Sequence, residues 1–503
     1  MQAAEFVYEA RIFPELEYTF KHALTHDVAY RSLLDDRRRA LHAALARAIE
    51  RIYADRLDEH LEELAHHARR GDLRDEAVKY LRKAGDRAAA RSAHREAIVF
   101  FEQTLAVLGE LPETPDMLAA TVDVRIAHAN ALLAAKGVGS PEVDTPVRHA
   151  HALASRLGDR ARLFNALWGL WFVHYGRGQY REALEIAGRL LGVAEADGNP
   201  DRLLQAHHSL WATLGSTGEA ARALPHCERG LALYDPSRHA SHAFAYGGHD
   251  PGACCGTHLA RAQWSLGYPE RAAAAIRDAV TLTERLAHPL SMILTKSARA
   301  FLEYQNGEYD TARETAERMV ALATAHELTA WGDDGLVILA CVQARQHGDY
   351  RSLHELGEQL PAHPGPVFRK VINLILMAEL LSEIGDVERG LTTLEAIPAE
   401  YRDTILGSET RRIRGHLLLR RDERDDSERQ FRQAIDMARH RSQRMLELRA
   451  TMSLARLWQR TGRRSEACRI LGEIYGWFSE GFDTTDLRAA KALLDELSDP
   501  SEL

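Results

Sequence analysis

Six side chains able to ligate a metal crowd into residues 239–258: His239, His242, His249, Cys254, Cys255 and His258. Imidazole and thiolate are preferred zinc ligands, so this stretch raises the question of a metal centre. The spacing argues against one. No Cys-x-x-Cys occurs, and the neighbouring thiols of Cys254 and Cys255 are poorly placed to grip a single ion. Gly247, Gly248, Asp250, Pro251 and Gly252 have the chemistry of an ordered turn between helices. The expectation is a packed loop without metal, in which His249, Cys254, Cys255 and His258 are the weak candidates for one.

No other constellation supports catalysis. The chain has no His-Glu-x-x-His helix, no Gly-x-Ser-x-Gly elbow, no dinucleotide glycine loop and no Gly-x-x-x-x-Gly-Lys-Ser/Thr cradle for phosphates. The 25 histidines are scattered at helical spacing, as in His66-His67 and His207-His208, which suits packing and surface positions better than a site. No cofactor is expected. Trp168, Trp171, Phe172, Trp211 and Trp264 fall on helices and should be mostly core. Any of the four tryptophans that faces a groove would be a candidate anchor for a partner.

The elements that carry these residues follow from a recurring phrase. A Gly is followed by polar or aromatic residues and then by an Ala, as in Gly178-Gln179-Tyr180-Arg181-Glu182-Ala183 and Gly307-Glu308-Tyr309-Asp310-Thr311-Ala312. Copies start at Gly178, Gly218, Gly267, Gly307, Gly348, Gly385 and Gly462, separated by 40, 49, 40, 41, 37 and 77 residues, with an earlier copy at Gly71. Self-similarity at a near-fixed period is the signature of a solenoid, because one repeat cannot bury its apolar face alone. Each Gly is expected to close a helix in the left-handed conformation, and each Ala to let the next helix come close. Between turns, Leu163, Leu167, Leu170 and Trp171 keep helical spacing. The fold expected is all-α, a tetratricopeptide-like right-handed superhelix of helix pairs.

Composition agrees and excludes several functions. The chain has 503 residues, 45% of them hydrophobic and 7% aromatic, and is rich in good helix formers. A net charge of −9 with no long basic run argues against nucleic acid as a partner. The mixed run Arg420-Arg421-Asp422-Glu423-Arg424-Asp425-Asp426 reads as a solvated helix face. Five cysteines make no disulfide framework, and neither a signal segment nor an uninterrupted apolar run of membrane length is visible. Cytoplasmic residence without a membrane partner is the expectation.

Three stretches go beyond a generic repeat. They are Leu16 to Tyr30 with Arg37-Arg38-Arg39-Ala40-Leu41-His42, then Leu233-Tyr234-Asp235-Pro236 with Tyr246 to Cys255, then Ser453 to Trp458 with Tyr475 to Asp486. Together the chain resembles the C-terminal part of bacterial multidomain signalling proteins that join a class III adenylate/guanylate cyclase, a P-loop ATPase and a tetratricopeptide array. The resemblance implies that residues 1–50 end a winged-helix subdomain of the ATPase and residues 51–135 form the first helical repeats. Residues 136–480 would form the main array, and 481–503 a capping helix and tail. It also implies that the cyclase domain and nucleotide-binding core are absent from this chain.

By the same resemblance His22, in Phe20-Lys21-His22-Ala23-Leu24, could sense bound nucleotide, against the plainer role of packing between helices. The function expected is a non-catalytic scaffold that binds a protein or peptide in its groove, with a cyclase or P-loop ATPase domain as a candidate partner. The alternative is the C-terminal part of a cyclase/ATPase whose catalytic domains lie on another chain or were lost by truncation.

Overall fold

In a computed structural model of the chain, residues 7–11, 17–20, 22–91, 93–136, 140–328, 331–359, 367–403 and 406–498 are described. They are helical apart from turns and one short hairpin, and they divide into two units: residues 1–136 with 142–162, and residues 137–141 with 163–503.

The first unit opens with an antiparallel pair, β1 (Val7–Arg11) and β2 (Glu17–Phe20), with Val7 opposite Phe20 and Glu9 opposite Tyr18. No strand is apparent in the sequence, and this pair corrects that reading. Strands of five and four residues are too short to display a period of two. Helices follow: α1 (Ala23–Ser32), α2 (Asp35–Ile52), α3 (Leu61–Arg70), α4 (Arg74–Ala90), α5 (His94–Leu108), α6 (Pro115–Lys136) and α7 (Asp144–Leu157). From α2 to α7, consecutive helices pack side by side. Leu61, Leu64, Tyr80 and Leu81 form one core of this unit. By length and composition α6 could cross a membrane. It nevertheless packs between α5 and α7 and carries Asp123, which takes a two-pronged bond from Arg162 at 3.0 Å.

The second unit takes up from α8 (Arg160–Gly176) and runs through α9 (Tyr180–Asp197), α10 (Pro200–Thr217) and α11 (Ala220–Leu233). Two single-turn helices, α12 (Pro236–His239) and α13 (His242–Ala245), precede α14 (Pro251–Ser265). Then come α15 (Pro269–Leu286), α16 (Pro289–Gln305), α17 (Tyr309–Ala325), α18 (Asp333–His347), α19 (Arg351–Gln359), α20 (Val367–Ile384) and α21 (Val387–Glu395). The array ends with α22 (Gly407–Arg420), α23 (Arg424–His440), α24 (Arg444–Arg460), α25 (Arg464–Tyr475) and α26 (Thr485–Ser498). This is a tetratricopeptide-like solenoid of helix pairs.

All seven turn glycines from Gly178 to Gly462 have φ between 68° and 95°, where a Cβ is penalised. The double-length step between Gly385 and Gly462 hides a copy whose left-handed residue is Asp422, at φ 61°. Gly71 departs from the expectation: its φ is −85°, and Asp72 takes the left-handed position at 57°. Gly71 is needed for space instead, because a Cβ there would sit 2.7 Å from the Ala43 backbone nitrogen. Five residues after the turn glycines, Ala183, Ala223, Ala272, Ala312 and Ala467 are buried; Gly390 and Ser427 stand at the same place in their copies.

The first helix of each pair forms an inner layer: α10 packs on α14, α14 on α16, and so on through α18, α20, α22, α24 and α26. The layer also closes, since α24 returns to α14. The later repeats cap the turns of the earlier ones. Tyr401 Oη donates to the Arg177 carbonyl at 3.2 Å, Gln443 Nε2 to the Gly218 carbonyl at 3.3 Å and Thr485 Oγ1 to the Asn306 carbonyl at 2.8 Å. One oxygen of Glu480 accepts the backbone N–H groups of Glu270 and Arg271 at the start of α15.

Relief of the left-handed strain predicts that Asp422→Gly stabilises the chain by about 1 kcal/mol. Gly71→Ala should destabilise it by about 1–3 kcal/mol through overpacking against α2. Denaturant unfolding of the two variants beside the parent checks both signs.

Candidate functional site

Closing the inner layer leaves space at its centre. Helices α8, α10, α14, α16, α18 and α20, with the loop before α14, surround a part-enclosed cavity. Trp171, Phe172 and Tyr175 of α8, Trp331 before α18 and Phe368 of α20 supply aromatic walls. Two polar groups of α8 are held by hydroxyls of α10: Trp171 Nε1 donates to Thr213 Oγ1 at 2.9 Å, and Tyr175 Oη meets Ser216 Oγ at 3.1 Å.

The charges in the cavity do not balance. Asp334 on α18 accepts from Ser297 Oγ at 2.6 Å, Arg369 Nε at 2.9 Å and Asn373 Nδ2 at 3.0 Å, and the Arg369 guanidinium also reaches the Trp331 carbonyl. Burial pushes the Asp334 carboxyl up, but Arg369 and the three donors outweigh it and hold it below its ordinary value. That pair is self-sufficient. Arg261 on α14 is not: its Nε is buried with no hydrogen-bond partner, and no ion pair to it occurs among the described residues. Its guanidinium lies 5.8 Å from the Phe301 ring centroid, and Arg261 also lines two smaller adjoining pockets. Burial, opposed by nearby Asp334 and assisted by Arg369, lowers its pKa. One fixed positive charge is therefore left over in an aromatic cavity.

The histidines of the cavity are neutral at neutral pH. Burial, then Arg261 and His249, push His258 down to about 3. Burial lowers His249 to about 4, against a raising contact from the Gly247 carbonyl, and sends His208 well below its ordinary value. Burial also pushes the Cys254 thiol up to about 12.

Of the residues singled out in the sequence, the structure brings His249 and Cys254 together, in company with His208 of α10. Cys255 turns away and donates to the Cys227 carbonyl at 3.1 Å, and the His258 ring lies against Gly215. All four candidate tryptophans are buried. Trp171 lines the large cavity and Trp264 the second one. Trp168 packs on Trp171 at 4.6 Å, and Trp211 stacks under His208 at 5.0 Å. His22 lies in the first unit, exposed, just before α1, with no side-chain cap bond.

Arg261, Asp334, Arg369, His208, Trp331 and Phe368 were not apparent from the sequence. The repeat period carries the missing signal, because a residue meets the one a repeat later. Trp171 bonds Thr213 42 residues on, Trp264 bonds Asn306 42 on, and His208 meets His249 41 on. The 49-residue step from Gly218 to Gly267 marks where α12, α13 and the His249 loop are inserted.

No protein-family model matches the chain. An uncharacterized protein of Rhizobium meliloti (strain 1021) is 26% identical over 463 residues, which cover 90% of this chain but only 44% of that protein. The chain thus spans less than half the length of that relative. Among solved structures, a Rap protein complexed with Competence and Sporulation Factor is 12% identical, covers 78% of this chain and 99% of its own, and has a TM-score of 0.47. Human IFIT1 with PPP-AAAA is 14% identical, with coverages of 92% and 94% and a TM-score of 0.41. Yeast Tom70 is 14% identical, with coverages of 89% and 98% and a TM-score of 0.32.

The neutral histidines predict acid sensitivity. The unfolded chain protonates His258 near its ordinary value of about 6.5, whereas the folded chain resists until about 3. Its contribution to stability is complete above the first value and drains away as pH falls toward the second. His258→Gln should therefore lose less stability than the parent on acidification through this window, as read by urea midpoints. An identical pH profile for both proteins would contradict the assignment.

Proposed function

We propose that the second unit is a non-catalytic regulatory module that binds a protein or peptide partner by drawing an anionic group of that partner into the central cavity. The observation that carries this reading is Arg261, a guanidinium with an orphaned Nε facing an aromatic cavity. A buried polar group without a partner is costly, and a carboxylate is the natural complement of a guanidinium fork. The aromatic walls supply apolar area beside the charge, as is usual where a chain segment is anchored. Binding would favour one arrangement of the closed inner layer and so be relayed as a shift of population.

In this reading the module serves a cytoplasmic signalling system, with a cyclase or P-loop ATPase domain as the element that receives the relay. The Rhizobium meliloti relative, of which this chain matches less than half, is long enough to carry further domains beside such a module. The β1–β2 hairpin followed by α1 and α2 supports reading residues 1–50 as the end of a winged-helix subdomain, with exposed His22 available to a nucleotide bound on a neighbouring domain. Nucleic acid is not favoured by a net charge of −9.

Arg261→Met separates binding from folding. Removing a buried, unpaired charge should stabilise the empty protein by about 1–3 kcal/mol. Peptides selected by the parent chain from a random library should carry a carboxylate that matters, and should bind the variant at least about tenfold more weakly, equivalent to about 1.4 kcal/mol. Equal binding of the selected peptides to both proteins would remove the basis of the proposal.

A further inference from the structure

One wall of the cavity holds two imidazoles nitrogen to nitrogen. His208 Nε2 and His249 Nε2 face each other at 3.3 Å. The other nitrogen of each ring is engaged: His249 Nδ1 lies 2.9 Å from the Gly247 carbonyl, and His208 Nδ1 lies 3.0 Å from Gln205 Oε1. A carbonyl only accepts, so His249 carries its proton on Nδ1 and offers a bare lone pair at Nε2. Gln205 Oε1 asks the same of His208. In that protonation state two lone pairs confront each other, an arrangement that a shared cation would make favourable. Orientation of a ligating imidazole through an acceptor on its far nitrogen is the usual outer support of a metal site.

The dimensions agree with one ion. Two nitrogens at about 2.05 Å from a tetrahedral zinc stand about 3.3 Å apart, and a nitrogen and a sulfur on the same ion about 3.6 Å. The Cys254 sulfur and one ring nitrogen of each histidine lie within 4.8 Å of one another, close enough to share one ion. The ligands sit on α10, on α14 and in the short loop capped onto α14 by Asp250, whose carboxylate accepts the Ala253 N–H at 2.9 Å.

We propose that His208, His249 and Cys254 form a tetrahedral transition-metal site, of the class that takes zinc, with its fourth corner open to the central cavity. All three side chains line that cavity, which leaves the last position to water or to a donor atom of whatever the cavity binds. Binding releases the Cys254 thiol proton to solvent and changes no oxidation state. The site stands independently of the peptide-binding role.

The test is a titration of the full chain, purified with chelator and then freed of it, with Co²⁺ as the spectroscopic probe and Zn²⁺ as competitor. One equivalent of Co²⁺ should give a thiolate-to-cobalt band in the near ultraviolet together with tetrahedral visible bands, and Zn²⁺ should abolish both. Cys254→Ser should lose the thiolate band and His249→Gln should bind at least about tenfold more weakly, while Cys255→Ser keeps the full spectrum. Two other groups, His42 with His66 and His67, and Asp201 with His239 and His242, contain no thiol and cannot produce that band. Circular dichroism shows that each variant is folded, and His249→Gln, altered in a loop, serves if Cys254→Ser is not. Absence of the thiolate band from the parent, or its survival in folded Cys254→Ser, would overturn the proposal.

Discussion

A helix that is buried on every side must find partners for its polar groups inside the protein, and the second unit is built around helices of this kind. In α24 every residue from Met445 to Ala455 is buried, Glu447, Arg449 and Ser453 included. The cost of dehydrating such charges is met only where each is paired and hydrogen-bonded. Arg449 bonds Asp486 at 2.7 Å and the Gln305 carbonyl at 2.9 Å, and Arg412 is held between Glu409 and Glu379. Gln305 and Arg449 are 144 residues apart in the chain. Closure of the inner layer is therefore fixed by ionic groups that have no other place to go.

The same rule makes the exception informative. Asp334 and Arg369 satisfy each other, with Ser297 and Asn373 filling the remaining bonds, so their presence in the cavity needs no ligand. Arg261, one turn beyond His258 on the same helix, has no such set. Buried polar atoms without a partner occur elsewhere in the array too, as at Thr451 and Trp458, but Arg261 is a charged group and lines the cavity. The cavity wall is also where an insertion interrupts the repeat and introduces His249. Binding sites tend to break the local rules that the rest of the fold obeys.

How much of this could be read from the residues depends on range. The turn at Gly178 was legible because its left-handed backbone nearly demands glycine, and the buried small residue at Ala183 because the helix approach demands it. The copy at Asp422 shows in the sequence only as a step of two units, since Asp tolerates the same conformation with little signature, and Gly71 differs from the other copies because glycine also serves close approach. The β1–β2 pair is too short to declare itself. The cavity was hidden for another reason: α8, α14 and α20 meet only after the array has turned back on itself. Periodicity along the chain places neighbours one repeat apart, as with His208 and His249, yet not the return of α24 to α14.

The most direct measurement of whether the cavity is a binding site is a crystal structure of the purified chain at a resolution that orders solvent and bound anions. The Arg261 guanidinium should then be found donating to a non-protein anionic group within the aromatic cavity. A guanidinium rotated onto protein acceptors, with every donor satisfied and the cavity filled by side chains, would contradict a binding role for it.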